Sequence, residues 1–122
     1  MALGFFKKKG EEEGKQDSVN IMPKELKEKM DKKEDFVLLD VRDHFEYEIC
    51  RINGAIEIPL RELAARADEL DKSKEIIAYC HTGARSMEAL IYLKSAGFKK
   101  VKSLKGGISM WAEEIEPGMA RY

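Results

Sequence analysis

The sequence has few of the residues that build disulfide frameworks and metal centres. Its 122 residues include two cysteines and two histidines. Two cysteines are too few for a disulfide framework, so they indicate individual thiol chemistry in a reducing compartment, and we expect a cytoplasmic protein. The spacing of these residues also lacks the paired pattern of a metal site, so no metal or other cofactor is expected. The four residues are His44, Cys50, Cys80 and His81.

Charge of one sign is not in excess either. The 22 Lys and Arg residues nearly balance the 23 Asp and Glu residues, which leaves a net charge of −1. This balance argues against a nucleic-acid-binding protein held by bulk charge, because such proteins carry strongly basic surfaces. No apolar run approaches the roughly 20 residues that cross a bilayer, so a membrane protein is not expected.

The first 17 residues differ in composition from the rest. Lys7–Asp17 contains no apolar residue, and Gly10 and Gly14 lie within it. This composition is typical of a mobile chain end. We therefore predict a flexible, charged tail over residues 1–17 and a folded domain over residues 18–122, which is expected to be monomeric.

Short apolar segments and helical patterns alternate after the tail. Two continuous apolar runs, Phe36–Leu39 and Ile76–Tyr79, predict central strands that are buried on both faces. Strands that flank them are predicted at Ala55–Ile58 and Val101–Leu104, the latter at an edge of the sheet, and Val19–Ile21 predicts a weak strand. Helices are predicted from Pro23, over Leu60–Leu70, over Met87–Ala96 and over Ile108–Glu114. This alternation favours an α/β fold with a largely parallel sheet.

Functional residues are expected just beyond the carboxyl ends of parallel strands. Two such ends carry polar residues, Asp40-Val41-Arg42 and the segment Cys80–Ser86. A cysteine that faces a helix N-terminus meets unpaired N–H groups and the positive end of the helix dipole, which favour its thiolate. Arg85 adds a positive charge, and Gly83 allows a backbone conformation that other residues avoid.

These features predict a cup of N–H groups that binds an anion, with a nucleophilic thiolate at its centre. The alternative from the residues alone is a buried structural cysteine, which is common in proteins. The small and polar residues after Cys80 and the strand–loop–helix context favour the nucleophile.

An ordered set of motifs resembles the rhodanese-like domain family over about residues 18–116. The first half contains Leu39-Asp40-Val41-Arg42, Glu46-Tyr47 and the segment Ile52–Pro59. The second half contains the segment Tyr79–Ser86, followed by Gly97-Phe98, Gly106-Gly107 and Trp111. The resemblance implies a five-stranded, mostly parallel central sheet with helices on both faces.

The resemblance also implies a reaction. Cys80 would take a sulfane sulfur from thiosulfate or another persulfide donor and pass it to cyanide, a thiol or an acceptor protein. Cys80 and Arg85 would be the catalytic residues. The remaining loop residues would bind the substrate, and two upstream residues would either shape the pocket or serve as scaffold. These are His81, Thr82, Gly83, Ala84 and Ser86 in the loop, and Asp40 and Arg42 upstream.

Two other functions use the same loop. One alternative is another enzyme, a phosphatase or arsenate reductase, on the same kind of loop. The other is a sulfur-carrier or interaction module that acts on a partner protein. The segment from Cys80 to Arg85 has six residues. The resemblance implies that related phosphatases have one more, so the shorter loop favours a single sulfur atom over a phosphoryl group.

Cys50-Arg51 departs from the family pattern, which commonly has glycine and histidine at these positions. A side chain at the glycine position leaves the local backbone shape open. We expect Cys50 to be a passive, buried thiol, and the alternative is a second redox thiol. Glu46 is predicted to pair with Arg42, because the two lie four residues apart.

Overall fold

Five strands alternate with five helices in the part of the chain that the structure describes. The structure is a computed structural model, and it describes residues 19–122. The tail predicted over residues 1–17 lies outside this range and stays a prediction. The strands are β1 (Asn20–Ile21), β2 (Phe36–Asp40), β3 (Ile56–Glu57), β4 (Glu75–Tyr79) and β5 (Val101–Leu104). The helices are α1 (Pro23–Asp31), α2 (His44–Ile49), α3 (Leu60–Arg66), α4 (Ala84–Ser95) and α5 (Gly107–Glu114).

The strands form one sheet in the order β1-β5-β4-β2-β3, and every pairing is parallel. The two apolar strands β2 and β4 are central, as predicted. The prediction that Val101–Leu104 is an edge strand is wrong, because the two residues of β1 pair with Ser103 and Leu104. The alternation of polar and apolar residues suggested a solvated face, yet Ser103 is buried, and its hydroxyl is hydrogen-bonded to that of Ser86.

Helices cover both faces of the sheet. Successive residues of the central strands point to opposite faces, so Leu39 and Ala78 pack into one hydrophobic cluster while Leu38 and Ile77 pack into the other. The first cluster is completed by α3 and α4, and the second by α1 and α5. The predicted α/β fold is confirmed.

Helix boundaries differ from the predictions where turns intervene. Helix α4 begins at Ala84, earlier than the predicted Met87, so Arg85 and Ser86 lie in its first turn. Helix α3 ends at Arg66 and continues as a 3-10 turn over Ala67–Glu69. Among residues 19–122, no helix is both long and apolar enough to cross a membrane.

Candidate active site

Cys80 directly follows β4 at the carboxyl edge of the sheet. Its Sγ accepts hydrogen bonds from the backbone N–H groups of Gly83, at 3.1 Å, and Ser86, at 3.3 Å. The N–H of Ser86 belongs to the first turn of α4, so the sulfur also lies at the positive end of the helix dipole. Donors of this kind bind a thiolate more strongly than a thiol. The structure thus brings together the sulfur and the backbone cup that the sequence predicts.

The backbone of Gly83 makes the turn between the loop and α4. Its φ of 124° lies in the left-handed region, which side-chain-bearing residues avoid. A β-carbon at this position would meet only the backbone nitrogen of Gly106, at 3.9 Å. The need for glycine is therefore conformational rather than steric.

The N-terminus of α5 holds the first half of the loop. The N–H of Ile108 donates to the carbonyl of Cys80 at 2.9 Å, and the N–H of Ser109 donates to that of His81 at 3.0 Å. Gly107 permits this close approach, because a β-carbon there would lie 2.5 Å from the Cys80 carbonyl oxygen and closer still to that of His81. These bonds fix the loop carbonyls on the α5 side.

Two buried hydroxyls lie behind the sulfur. The hydroxyl of Ser86 is 3.5 Å from the Sγ of Cys80 and 2.7 Å from the hydroxyl of Ser103 on β5. Ser86 also donates to the carbonyl of Gly83 at 3.2 Å. Ser86 was predicted as part of the loop, whereas no local pattern in the sequence singles out Ser103.

Arg85 binds Glu46 rather than standing free at the loop. Its Nη1 and Nη2 donate to the two carboxylate oxygens of Glu46 at 2.7 and 2.9 Å. The predicted Arg42–Glu46 pair is therefore wrong, because Glu46 faces the loop and Arg42 is bound to Asp40. The spacing Asp43-x-x-Glu46 is that of a capping box, which places Glu46 in the first turn of α2 and could have drawn attention to it.

Glu46 is a buried carboxylate whose charge is strongly favoured. The Arg85 guanidinium is the main cause that lowers its pKa to about 2 from the ordinary 4.5. Burial opposes this shift, while the backbone N–H of Asp43 and the hydroxyl of Tyr122 add to it. The Glu46–Arg85 pair consequently stays ionised over the physiological pH range.

We predict that this pair stabilises the fold above pH 4.5 and that the stabilisation is lost as the pH falls toward 2. The direction follows from a folded-state pKa of Glu46 that lies below its unfolded value. The full contribution is on the order of 3 kcal/mol. The free energy of unfolding, measured by urea titration from pH 7 to pH 2.5, should separate the natural protein from Glu46→Gln most at neutral pH.

The matched control for this titration is Glu88→Gln, which removes an exposed carboxylate from α4. That variant should follow the natural protein at every pH. A gap between the natural protein and Glu46→Gln that stays constant down to pH 2.5 would contradict the prediction.

Asp40 and Arg42 lie in the interior of the protein, and neither side chain is exposed. The guanidinium binds the carboxylate at 2.7 Å and also donates to the backbone carbonyl of Cys50 at 2.6 Å. Arg42 approaches the site through one further bond, from its Nη1 to the hydroxyl of Tyr122 at 2.9 Å. This placement fits the scaffold alternative, and a part in shaping the pocket stays untested.

His81 and Tyr122 form one wall of the site. Their rings stack with centroids 4.2 Å apart and planes inclined by 19°. The hydroxyl of Tyr122 is also 2.9 Å from a carboxylate oxygen of Glu46. Tyr122 was not predicted from the sequence, because it lies far along the chain from the loop and belongs to no pattern.

Cys50 lines a small pocket, partly open to solvent, beside this wall, together with His81, Tyr122 and residues of α5. Its backbone is extended, with φ −161° and ψ 154°, so a side chain fits where the family commonly has glycine. The thiol is half-buried rather than buried as predicted, and it lies 3.9 Å from Nη1 of Arg42. Its passive role stays a prediction.

The remaining predicted residues, Thr82 and Ala84, form the exposed rim of the loop. The backbone N–H groups that reach the sulfur come from Gly83 and Ser86. Within residues 19–122, no three His, Cys, Asp or Glu side chains come together as a potential metal site.

Known proteins resemble this chain in sequence and fold. The probable adenylyltransferase/sulfurtransferase MoeZ of Mycobacterium tuberculosis is 39% identical over 104 residues, which cover 84% of this chain but 26% of MoeZ. The thiosulfate sulfurtransferase GlpE of Coxiella burnetii is 38% identical over 80 residues, which cover 66% of this chain and 75% of GlpE. The chain thus spans about a quarter of the length of MoeZ and most of GlpE.

A solved structure and a family model agree with these relatives. The crystal structure of a rhodanese-related protein from Thermoplasma volcanium superposes with a TM-score of 0.73 at 31% identity, covering 81% of this chain and 95% of that one. The model of the rhodanese-like domain matches residues 22–114, which include every site residue described above except Tyr122. The chain therefore belongs to the rhodanese-like domain family.

Proposed function

We propose that this protein is a sulfurtransferase that carries a sulfane sulfur as a persulfide on Cys80. The single observation that carries the proposal is the position of Sγ, which accepts hydrogen bonds from two backbone N–H groups at the N-terminus of α4. The names of the relatives, which describe sulfur transfer, support the same chemistry.

The first half of the reaction loads the sulfur. The thiolate of Cys80 attacks the outer sulfur of thiosulfate, a new S–S bond forms, and the S–S bond of thiosulfate breaks. Sulfite leaves with the electron pair of that bond. The persulfide anion left on Cys80 takes over the negative charge, which the helix dipole and N–H groups at the loop are arranged to stabilise.

The second half of the reaction transfers the sulfur from Cys80 to an acceptor. Cyanide or a thiolate attacks the terminal sulfur of the persulfide, the S–S bond to Cys80 breaks, and thiocyanate or a new persulfide leaves. The thiolate of Cys80 is regenerated, so no oxidant, reductant or metal is consumed. The acceptor is a small thiophile or a thiol on a partner protein.

Arg85 contributes charge and position. Glu46 holds its guanidinium at two nitrogens and raises its pKa above the already high ordinary value. Two of its five N–H groups are used in this pair, which leaves three for an anionic donor. A fixed guanidinium loses less side-chain entropy when the donor binds.

Mass spectrometry tests the proposal directly. After exposure to thiosulfate and removal of excess reagent, the peptide that contains Cys80 should gain about 32 Da, the mass of one sulfur atom, and lose it on treatment with cyanide. The peptide that contains Cys50 is the internal control and should keep its mass. A gain on the Cys50 peptide alone would contradict the assignment of the nucleophile.

The same preparation separates sulfur transfer from phosphatase chemistry. The loop of six residues forms a small cup, so we expect no significant hydrolysis of an aryl phosphate. Ready hydrolysis of that ester, with no persulfide formed on Cys80, would contradict the sulfurtransferase proposal and favour the phosphatase.

A further inference from the structure

Tyr122 is linked to both ends of the Cys80–Arg85 loop. Its ring stacks on His81, the residue after the nucleophile, at a centroid distance of 4.2 Å. Its hydroxyl is 2.9 Å from Oε1 of Glu46, the same oxygen that accepts from Nη2 of Arg85. A single side chain therefore reaches the start of the loop directly and its end through one carboxylate.

The direction of the hydrogen bonds at this hydroxyl is fixed by its neighbours. Arg42 can only donate, so the oxygen of Tyr122 accepts from it, and the one phenol proton remains for Glu46. Glu46 is ionised and can only accept. Partial burial raises the pKa of Tyr122 to about 12, so the phenol keeps this proton at physiological pH.

The anchor on the far side of the hydroxyl is rigid. Arg42 is fully buried, and Asp40 and the carbonyl of Cys50 hold its guanidinium. The chain of contacts therefore runs from a fixed ion pair in the core, through the phenol, to Glu46 and Arg85. Tyr122 is itself 41% exposed, so its hydroxyl is held by these two partners rather than by burial.

We infer that Tyr122 is a positioning residue for sulfur transfer, holding His81 and the Glu46–Arg85 pair so that the loop keeps its closed cup around Cys80. This inference rests on the proposed function for its kinetic consequences. The geometric part, a loop held closed around Cys80, of which only 1% is exposed, can be measured without turnover.

The first test measures access to the sulfur. In a Cys50→Ser background, the rate at which iodoacetamide alkylates Cys80 is compared between the background protein, Tyr122→Phe and Tyr122→Leu. Removing the hydroxyl should speed alkylation by roughly two- to fivefold, and removing the ring as well should speed it further. Tyr92→Phe is the matched control, because it removes a phenol hydroxyl about two turns along α4 from the loop.

The second test measures the two half-reactions. Tyr122→Phe should raise KM for thiosulfate roughly three- to tenfold, because Arg85 is less well fixed for the anion. The value of kcat/KM for cyanide should change less than about twofold, because binding of this small acceptor depends little on the Arg85 guanidinium. Loss of general fold integrity would instead lower both half-reactions together and lower Tm.

A double-mutant cycle shows whether the hydroxyl acts through Glu46. With Glu46→Gln already present, adding Tyr122→Phe should have little further effect on KM for thiosulfate, because the carboxylate that it orients is gone. Effects that multiply independently would overturn the inference, as would unchanged alkylation and KM in both Tyr122 variants. If the natural protein forms no persulfide, the proposed function fails, while the alkylation rates still decide whether Tyr122 closes the loop.

Discussion

Cys80→Ser is expected to lower thiosulfate:cyanide sulfurtransferase turnover by at least about a thousandfold. The serine hydroxyl should accept hydrogen bonds from the same N–H groups of Gly83 and Ser86, so the loop should keep its shape. The thiolate that attacks sulfur is lost. Turnover is measured as thiocyanate formation, and Tm is measured on the same preparation. The free energy of unfolding should change by less than about 2 kcal/mol.

Cys50→Ser is the matched control, because it makes the same atomic change in the other cysteine. That thiol lines the pocket beside His81 but does not touch the N–H groups of the loop. The control should keep most of the turnover. Near-normal turnover in Cys80→Ser would contradict the proposed mechanism. Loss of turnover in folded Cys50→Ser would instead identify Cys50 as a second functional thiol.

Gly107→Ala is expected to destabilise the protein and impair the site together. The φ of 60° alone costs an alanine roughly 1–3 kcal/mol, and the new methyl group would overlap the carbonyls of Cys80 and His81. Because the atoms that the methyl group would overlap are backbone atoms, the overlap can be relieved only if α5 and the loop move apart. Differential scanning calorimetry should show Tm lower by at least about 5 °C. Turnover of the remaining folded protein should fall about tenfold to a hundredfold.

Gly118→Ala distinguishes this effect from the general cost of replacing a glycine. A β-carbon at Gly118 would meet no atom within 4 Å, and its φ is outside the left-handed region. The control should therefore leave Tm and turnover unchanged. Equal behaviour of the two glycine variants would mean that the contact of α5 with the loop contributes little.

Local signals carried most of the prediction of the fold and of the nucleophile. The apolar runs that became β2 and β4 and the polar loop after Tyr79 are each contiguous in sequence, and the loop is closed by its own backbone at Gly83 and Ser86. A strand, a turn and the start of a helix are short-range structures, so their residues could be recognised together.

The groups that support the loop could not be recognised in this way. Glu46 lies 39 residues before Arg85, and Tyr122 lies 76 residues after Glu46. Each of these contacts depends on how the whole sheet is folded. The error at β5 has the same origin, because a weak strand was predicted at Val19–Ile21 but its pairing with the distant β5 leaves no local signal in the sequence.

The place of β1 in the sheet also has a consequence for the order of folding. Among the strands of residues 19–122, β1 pairs with β5 alone, so Asn20 must find Ser103, whereas the longer pairings join β2 to β4 and β4 to β5. Closing a chain segment of this length costs more entropy than closing the shorter ones, and such distant pairings slow folding. Of the five strands, β1 is synthesised first and β5 last, so β1 is expected to stay unpaired until β5 has been made. During refolding, the amide hydrogens of β1 should therefore be the last in the sheet to gain protection from exchange.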